Sequence, residues 1–214
     1  MMRAYKFLCA KYGIDSIQKR RLKQSRVADL NDPFELMSYD VTKKVIRKTF
    51  NQTRDDVDKV KGLLCFSADW KDPVIWAHYS DKHKGLCLGF EITNDEADYV
   101  NYLPELLPFP SNFDEMNDSE HSEFARAAIF TKFKHWAYEK EIRVWGPLVN
   151  EDHGLYFVPF GNNMRLIEVI IGSRCSLSKA HVVEALGSLV SEVKIRKARA
   201  AYDKFEMVEN ETCP

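Results

Sequence analysis

The stretch from Cys65 to Glu91 constrains the fold of this chain more than any other segment. An apolar run ends at Ser67. Asp72-Pro73 then supplies a helix N-cap followed by proline in the first turn, and Gly85 stands where a helix would end. The spacing predicts strand, helix, strand, with the helix running from Pro73 to Lys84. In that helix Trp76, Tyr79 and His83 fall at i, i+3 and i+7, while His78 and Lys82 share a neighbouring stripe. Two readings fit: a buried amphipathic helix whose aromatic side chains fill a core, or one wall of a ligand site.

Flanking signals extend the pattern. Ala4 to Cys9 alternates as a strand, a helix is expected from about Asp15 or Ser16 through Lys23, and Arg26 to Leu30 reads as a second short strand. Asn31-Asp32-Pro33-Phe34-Glu35 has the Asx-Pro chemistry of a tight ordered loop with an aromatic residue at its tip. Residues 41–61 read as an exposed helix and Gly62 to Ser67 as a strand. Gly85 to Glu91 alternates as a half-buried strand, with Leu86, Leu88 and Phe90 on one face. Later, a helix is expected from Ser122 toward Lys134, strands over Tyr138 to Trp145, Leu155 to Phe160 and Arg165 to Ile171, and a last helix near Leu177 to Val190. The class is α+β.

Length and charge narrow the field. A chain of 214 residues supports one substantial core, so a single domain is expected, and its net charge of -1 argues against wholesale attraction to nucleic acid or anionic lipid. Charge is uneven, however. Residues 1–90 hold 18 Lys/Arg against 11 Asp/Glu, whereas residues 93–123 hold nine Asp/Glu and no Lys/Arg, amid Pro104, Pro108 and Pro110. The acidic stretch reads as a surface insertion. Five cysteines, with no Cys-x-x-Cys pair, read as reduced thiols of a cytoplasmic protein. No segment is apolar enough to span a bilayer.

The second chemically dense segment is Trp136 to Trp145. Read as a strand, it places Glu139, Glu141, Arg143 and Trp145 on one face. Two carboxylates two residues apart, beside a guanidinium, suit hydrogen bonding to a ribose and stabilisation of positive charge developing at an anomeric carbon. The same groups would equally form an ordinary surface ion network.

Taken in order, Tyr5-Lys6-Phe7, Asn31-Asp32-Pro33-Phe34-Glu35, Cys65-Phe66-Ser67, Trp76-Ala77-His78-Tyr79 with His83-Lys84-Gly85, Trp136 with Tyr138-Glu139-Lys140-Glu141-Ile142-Arg143, and Glu168 to Gly172 resemble a bacterial domain-of-unknown-function family of small stand-alone proteins. That family is similar, more distantly, to the ADP-ribosyltransferase-like fold. The resemblance implies two small, mostly antiparallel sheets with a cleft between them and NAD bound in the cleft as substrate. On it, Tyr5 matches the first-strand position, Ser67 the strand-terminal serine, and Glu139 or Glu141 the catalytic glutamate, with Glu141 the better match. Phe34, Trp76, His78, Tyr79 and Arg143 are the further expected cofactor contacts. The chain departs from the better-known transferases in lacking a Ser-Thr-Ser triplet and in carrying Tyr5 where they have arginine or histidine.

Three readings follow. The first is an NAD-dependent ADP-ribosyltransferase-like protein, a toxin or phage-defence effector acting on a nucleic acid or a protein. The second is a non-catalytic nucleotide- or protein-binding module with a degenerate cleft. A metal-dependent hydrolase ranks below both, because His78 and His83 are five residues apart rather than the four that stack two ligands on a helix, and no metal is expected.

Overall fold

A computed structural model describes residues 1–93 and 97–211; residues 94–96 of the acidic stretch and Cys213 lie outside the described residues. In chain order the strands are β1 (Met2–Leu8), β2 (Arg21–Gln24), β3 (Lys61–Ser67), β4 (Leu86–Ile92), β5 (Ala97–Tyr99), β6 (Asn101–Leu103), β7 (Thr131–Phe133), β8 (Glu141–Pro147), β9 (Glu151–Asp152), β10 (Leu155–Pro159), β11 (Met164–Ile171), β12 (Lys194–Ala200) and β13 (Met207–Glu209). The α-helices are α1 (Ala10–Lys19), α2 (Lys44–Asp58), α3 (Pro73–Tyr79), α4 (Asp118–Ile129) and α5 (Lys179–Leu186). The fold is α+β.

Eight strands form one sheet in the order β13-β12-β11-β4-β1-β3-β8-β5, antiparallel except for the β11–β12 pair. Two small sheets, β2-β10-β9 and β6-β7, lie beside it. The main sheet is not evenly zipped. β1 pairs with β4 along its whole length, from Met2↔Ile92 to Leu8↔Leu86, and β3 pairs with β8 from Lys61↔Pro147 to Ser67↔Glu141. Between β1 and β3 the register holds a single pair, Tyr5↔Ser67. Five strands on one side and three on the other are thus joined at one rung and open beyond it.

β4 is buried on both faces rather than one, since six of its seven residues are buried. Leu86, Leu88 and Phe90 pack with Ile17 of α1 and Val182 and Leu186 of α5. Cys87, on the opposite face, packs with Phe7, Ile75 and Trp76. A strand sandwiched between helices has no solvent face, so alternation there separates two apolar surroundings.

Local chemistry sets α3 as expected at its start. Asp72 Oδ1 accepts the Val74 N–H at 2.7 Å and Pro73 fills the first turn. The helix ends five residues early, at Tyr79, because Asp81, Lys82 and His83 all adopt left-handed backbone with φ of 47°, 54° and 69°. This return brings the His83 ring parallel to Trp76, with centroids 6.3 Å apart.

Other expectations shift. The first helix begins at Ala10 rather than Asp15 and stops at Lys19, where Arg20 turns left-handed and releases β2. Val27–Asp29 is a single 3-10 turn, not a strand. The acidic stretch is not only surface: β5 pairs with β8 as an edge of the main sheet, and Val100 is buried. Among the described residues no helix is long and apolar enough to cross a membrane.

Candidate functional site

The opening between β1 and β3 is the floor of a cavity of about 250 Å³. Its walls come from β1 and β3, from the segment Ser25 to Glu35, from α3 through Ile75 and Tyr79, and from Lys132, Glu139 and Glu141. Splaying the strands leaves the Cys65 carbonyl without a partner on its β1 side. The Lys6 ammonium takes that place, donating to Cys65 O at 2.9 Å. A part-buried carbonyl is thereby satisfied while the sheet stays open.

Three of the expected site residues occupy one rung. Ser67 is the register partner of both Tyr5 and Glu141, and Tyr5 is in turn opposite Gly89. Gly89 matters for its missing side chain: a Cβ there would lie 2.5 Å from Glu168 Cγ and 3.1 Å from Tyr5 Cε1. Over that gap the Tyr5 hydroxyl donates to Glu168 Oε1 at 3.1 Å. Burial, and then the Glu168 charge, push the Tyr5 phenol up to about 12. The Ser67 hydroxyl is engaged locally, donating to Asp69 O at 2.9 Å and accepting from Asp69 N at 3.1 Å, which folds the strand end into a turn.

The paired glutamates arrive by a route that strand periodicity does not describe. Lys134–Glu139 is a 3-10 turn, Lys140 is left-handed with φ 44°, and the strand starts only at Glu141. Glu139 is therefore not a strand residue, yet its carboxylate reaches the same place. Together with Glu35, Lys132 and Arg143 the two glutamates form a buried cluster, each member less than one-tenth exposed. Lys132 Nζ lies 2.8 Å from Glu139 Oε2, 3.4 Å from Glu141 Oε2 and 3.5 Å from Glu35 Oε1. Arg143 donates through Nε to Glu141 Oε1 at 2.9 Å, through Nη2 to Glu141 Oε2 at 3.1 Å and to Glu35 Oε1 at 3.0 Å, and through Nη1 to the Ile129 carbonyl.

The balance of forces differs among the three acids. Burial drives the Glu35 carboxyl upward, and the attraction of Arg143 and Lys132 does not overcome it. Burial acts on Glu141 too, but there Arg143, Lys132 and the Arg143 hydrogen bond prevail and hold it below the usual carboxylate range. Lys132 and Arg143 are correspondingly raised by the same carboxylates, against the opposing effect of burial. Glu139 is further tied by a short hydrogen bond from the Tyr79 hydroxyl, which itself accepts from Asn31 Nδ2 at 3.2 Å. Tyr79 thus links α3, the Asn31 loop and the cluster.

Not every expected contact faces the cavity. Trp76 is fully buried: its indole N–H donates to the Trp70 carbonyl at 2.6 Å and its ring meets Phe7 edge-on at 5.1 Å. The core reading of that tryptophan is the one the structure bears out. Arg143 is also completely buried, and all its polar contacts are to the protein, so it orders Glu141 and Glu35 instead of projecting from a strand surface. Phe34 is at the loop tip, 55% exposed, and His78 is exposed beside the Tyr138 ring; neither lines the cavity. Tyr5, Ser67, Tyr79, Glu139 and Glu141 do.

Sequence reasoning missed Lys6, Glu35 and Lys132. Lys132 fell inside an expected helix that in fact ends at Ile129. Glu35 belonged to a recognised loop block, but its partners, Lys132 and Arg143, are about a hundred residues away, and nothing local marks it. Among the described residues no group of three or more His, Cys, Asp or Glu is arranged to hold a metal ion. Compared with known proteins, the chain matches no family model, no curated protein and no solved structure.

Proposed function

We propose that this protein is an ADP-ribosyltransferase-like enzyme that breaks the bond between nicotinamide and ribose in NAD. One observation carries the reading: the sheet opens between β1 and β3 at the Tyr5–Ser67–Glu141 rung, so that Glu139 and Glu141, the latter held ionised by Arg143 and Lys132, line a cleft beside the split. Ligand sites commonly span about 300–1,000 Å³, so a cavity of about 250 Å³ suits the nicotinamide riboside end, with the adenosine half lying outside it. As nicotinamide departs, positive charge develops at the anomeric carbon. A carboxylate already fixed by Arg143 and Lys132 needs no reorganisation to stabilise it. Glu139, held by Tyr79 and Lys132, is the candidate for orienting the acceptor, a nucleic acid or a protein. The four described cysteines are free thiols, which suits a reducing, cytoplasmic setting.

The test is nicotinamide release from NAD by the purified protein and by Glu141→Gln and Glu139→Gln. Loss of about 10²–10³-fold in rate is expected for Glu141→Gln, the scale of removing one oriented electrostatic contact. The reading falls if the wild-type protein neither binds NAD nor transfers from it to any acceptor in a cell extract.

A second reading has its own observation. Both oxygens of Glu141 are already taken, Oε1 by Arg143 and Oε2 by Arg143 and Lys132. A cleft whose carboxylates are internally neutralised suits a non-catalytic nucleotide-binding module. Thermal stabilisation by NAD or ADP-ribose without turnover favours it.

A further inference from the structure

The cavity holds one cationic side chain that the cluster does not use. Lys132 and Arg143 are each bound by two or more carboxylates. Lys6, on β1, has the Cys65 carbonyl as its hydrogen-bond acceptor and forms no ion pair with a carboxylate among the described residues. Its Nζ sits 6.0 Å from the centroid of the Phe66 ring, and Phe7 lines the same wall. A half-buried lysine beside the Phe66 ring, with a neutral carbonyl as its hydrogen-bond acceptor, is less well solvated as an ammonium than a surface lysine. Burial holds its pKa below the ordinary lysine value.

We infer that Lys6 is a nucleophilic amine that forms an imine with the carbonyl carbon of a small aldehyde, of which the open-chain form of an aldose fits the site best. The amide of Asn31 and the carboxylate of Glu139 line the same cavity, and such groups bind a polyhydroxylated chain by hydrogen bonds. In the reaction the amine lone pair attacks the aldehyde carbon, the carbonyl π pair moves to oxygen, and that oxygen takes the proton the nitrogen gives up. Departure of the resulting hydroxyl with the second nitrogen proton, as water, leaves the C=N bond. No oxidant or reductant is consumed. The inference goes beyond the NAD reading and does not depend on it, since neither NAD nor Glu141 enters the step.

The experiment is reductive trapping at neutral pH. The intact protein is incubated with glycolaldehyde or with ribose 5-phosphate in the presence of cyanoborohydride, and each lysine is followed by peptide mass mapping. The expected result is faster adduct formation at Lys6 than at exposed lysines such as Lys48 and Lys82, because burial leaves more of its amine unprotonated at neutral pH. Lys6→Arg keeps a donor for the Cys65 carbonyl but forms no imine. It should lose the fast adduct while the exposed lysines react as before. Equal modification of all lysines, or a Lys6 spared by both aldehydes, overturns the inference. Because the readout within wild type compares lysines in one folded chain, it holds even if the arginine variant unfolds.

Discussion

Tyr5 and Ser67 are the one registered pair between β1 and β3, and the cavity opens directly beyond them. Everything placed at that split depends on what keeps the rung closed at one end and open at the other. Gly89 closes it, by letting Tyr5 reach Glu168. The Lys6 contact to Cys65 lets the rest stand open.

Gly89→Ala should therefore destabilise the protein. The added Cβ meets Glu168 Cγ at 2.5 Å in a buried, hydrogen-bonded setting, and overpacking of this kind costs about 1–3 kcal/mol. Urea unfolding measures it. In a Glu168→Ala background the same substitution should cost less, because the clashing carbons are gone; an unchanged penalty would show that the clash is not with Glu168.

Arg143→Met leaves the buried Glu35 and Glu141 to share Lys132, which is already paired with Glu139. Breaking a buried pair from one side costs about 3–5 kcal/mol, and Arg143 is fully enclosed. Adding Glu35→Gln should recover part of that loss, since one of the carboxylates left competing for Lys132 is then removed. Strict additivity in the double-mutant cycle would contradict a shared guanidinium.

The acids of the cluster predict opposite pH dependences. Glu141 is held low in the folded protein, so its ionised form contributes stability that is fully present above the ordinary glutamate pKa and is lost as pH falls through its lower folded value. Glu35 is raised: the unfolded chain ionises it first, so it subtracts stability as pH rises from the ordinary value toward the folded one. Denaturation midpoints taken from pH 3 to 7 should therefore show the deficit of Glu141→Gln relative to wild type shrinking at the acid end. The deficit of Glu35→Gln should shrink in the other direction, as pH rises.

Trp76→Phe separates core packing from ligand contact. It removes the donor to the Trp70 carbonyl and part of the ring that meets Phe7. A loss of about 2–3 kcal/mol is expected, somewhat less than truncation of a buried tryptophan to alanine. Binding of NAD, measured by calorimetry at a temperature where the variant is folded, should stay within about twofold of wild type, less than 1.4 kcal/mol and its tenfold change. A large loss of affinity with unchanged stability would place the ring in the site after all.

Much of the secondary structure is legible because it is encoded locally. Asp72-Pro73 starts α3, the Asp32 side chain accepts the Phe34 N–H in the expected Asx turn at 2.9 Å, and β1, β3, β4, β10 and β11 lie within a residue or two of where alternation puts them. Left-handed turns are less legible. Nothing in Asp81-Lys82-His83 or at Lys140 announces positive φ, since no glycine stands there. Hence periodicity carries α3 past its true end at Tyr79 and places Glu139 in a strand that starts only at Glu141.

From the sequence alone come the strand-helix-strand block at Cys65–Glu91 and the α+β class, and the family resemblance adds Tyr5, Ser67 and the two glutamates as residues that belong together. Tertiary structure alone decided that Tyr5, Ser67 and Glu141 share a rung, that Trp76 and Arg143 are spent inside the protein, and that Lys6, Glu35 and Lys132 meet at the cavity. The physical reason is range. Caps, turns and alternation are interactions between near neighbours in the chain, whereas an ion pair such as Glu35 with Arg143 exists only once the order of eight strands has brought its partners together.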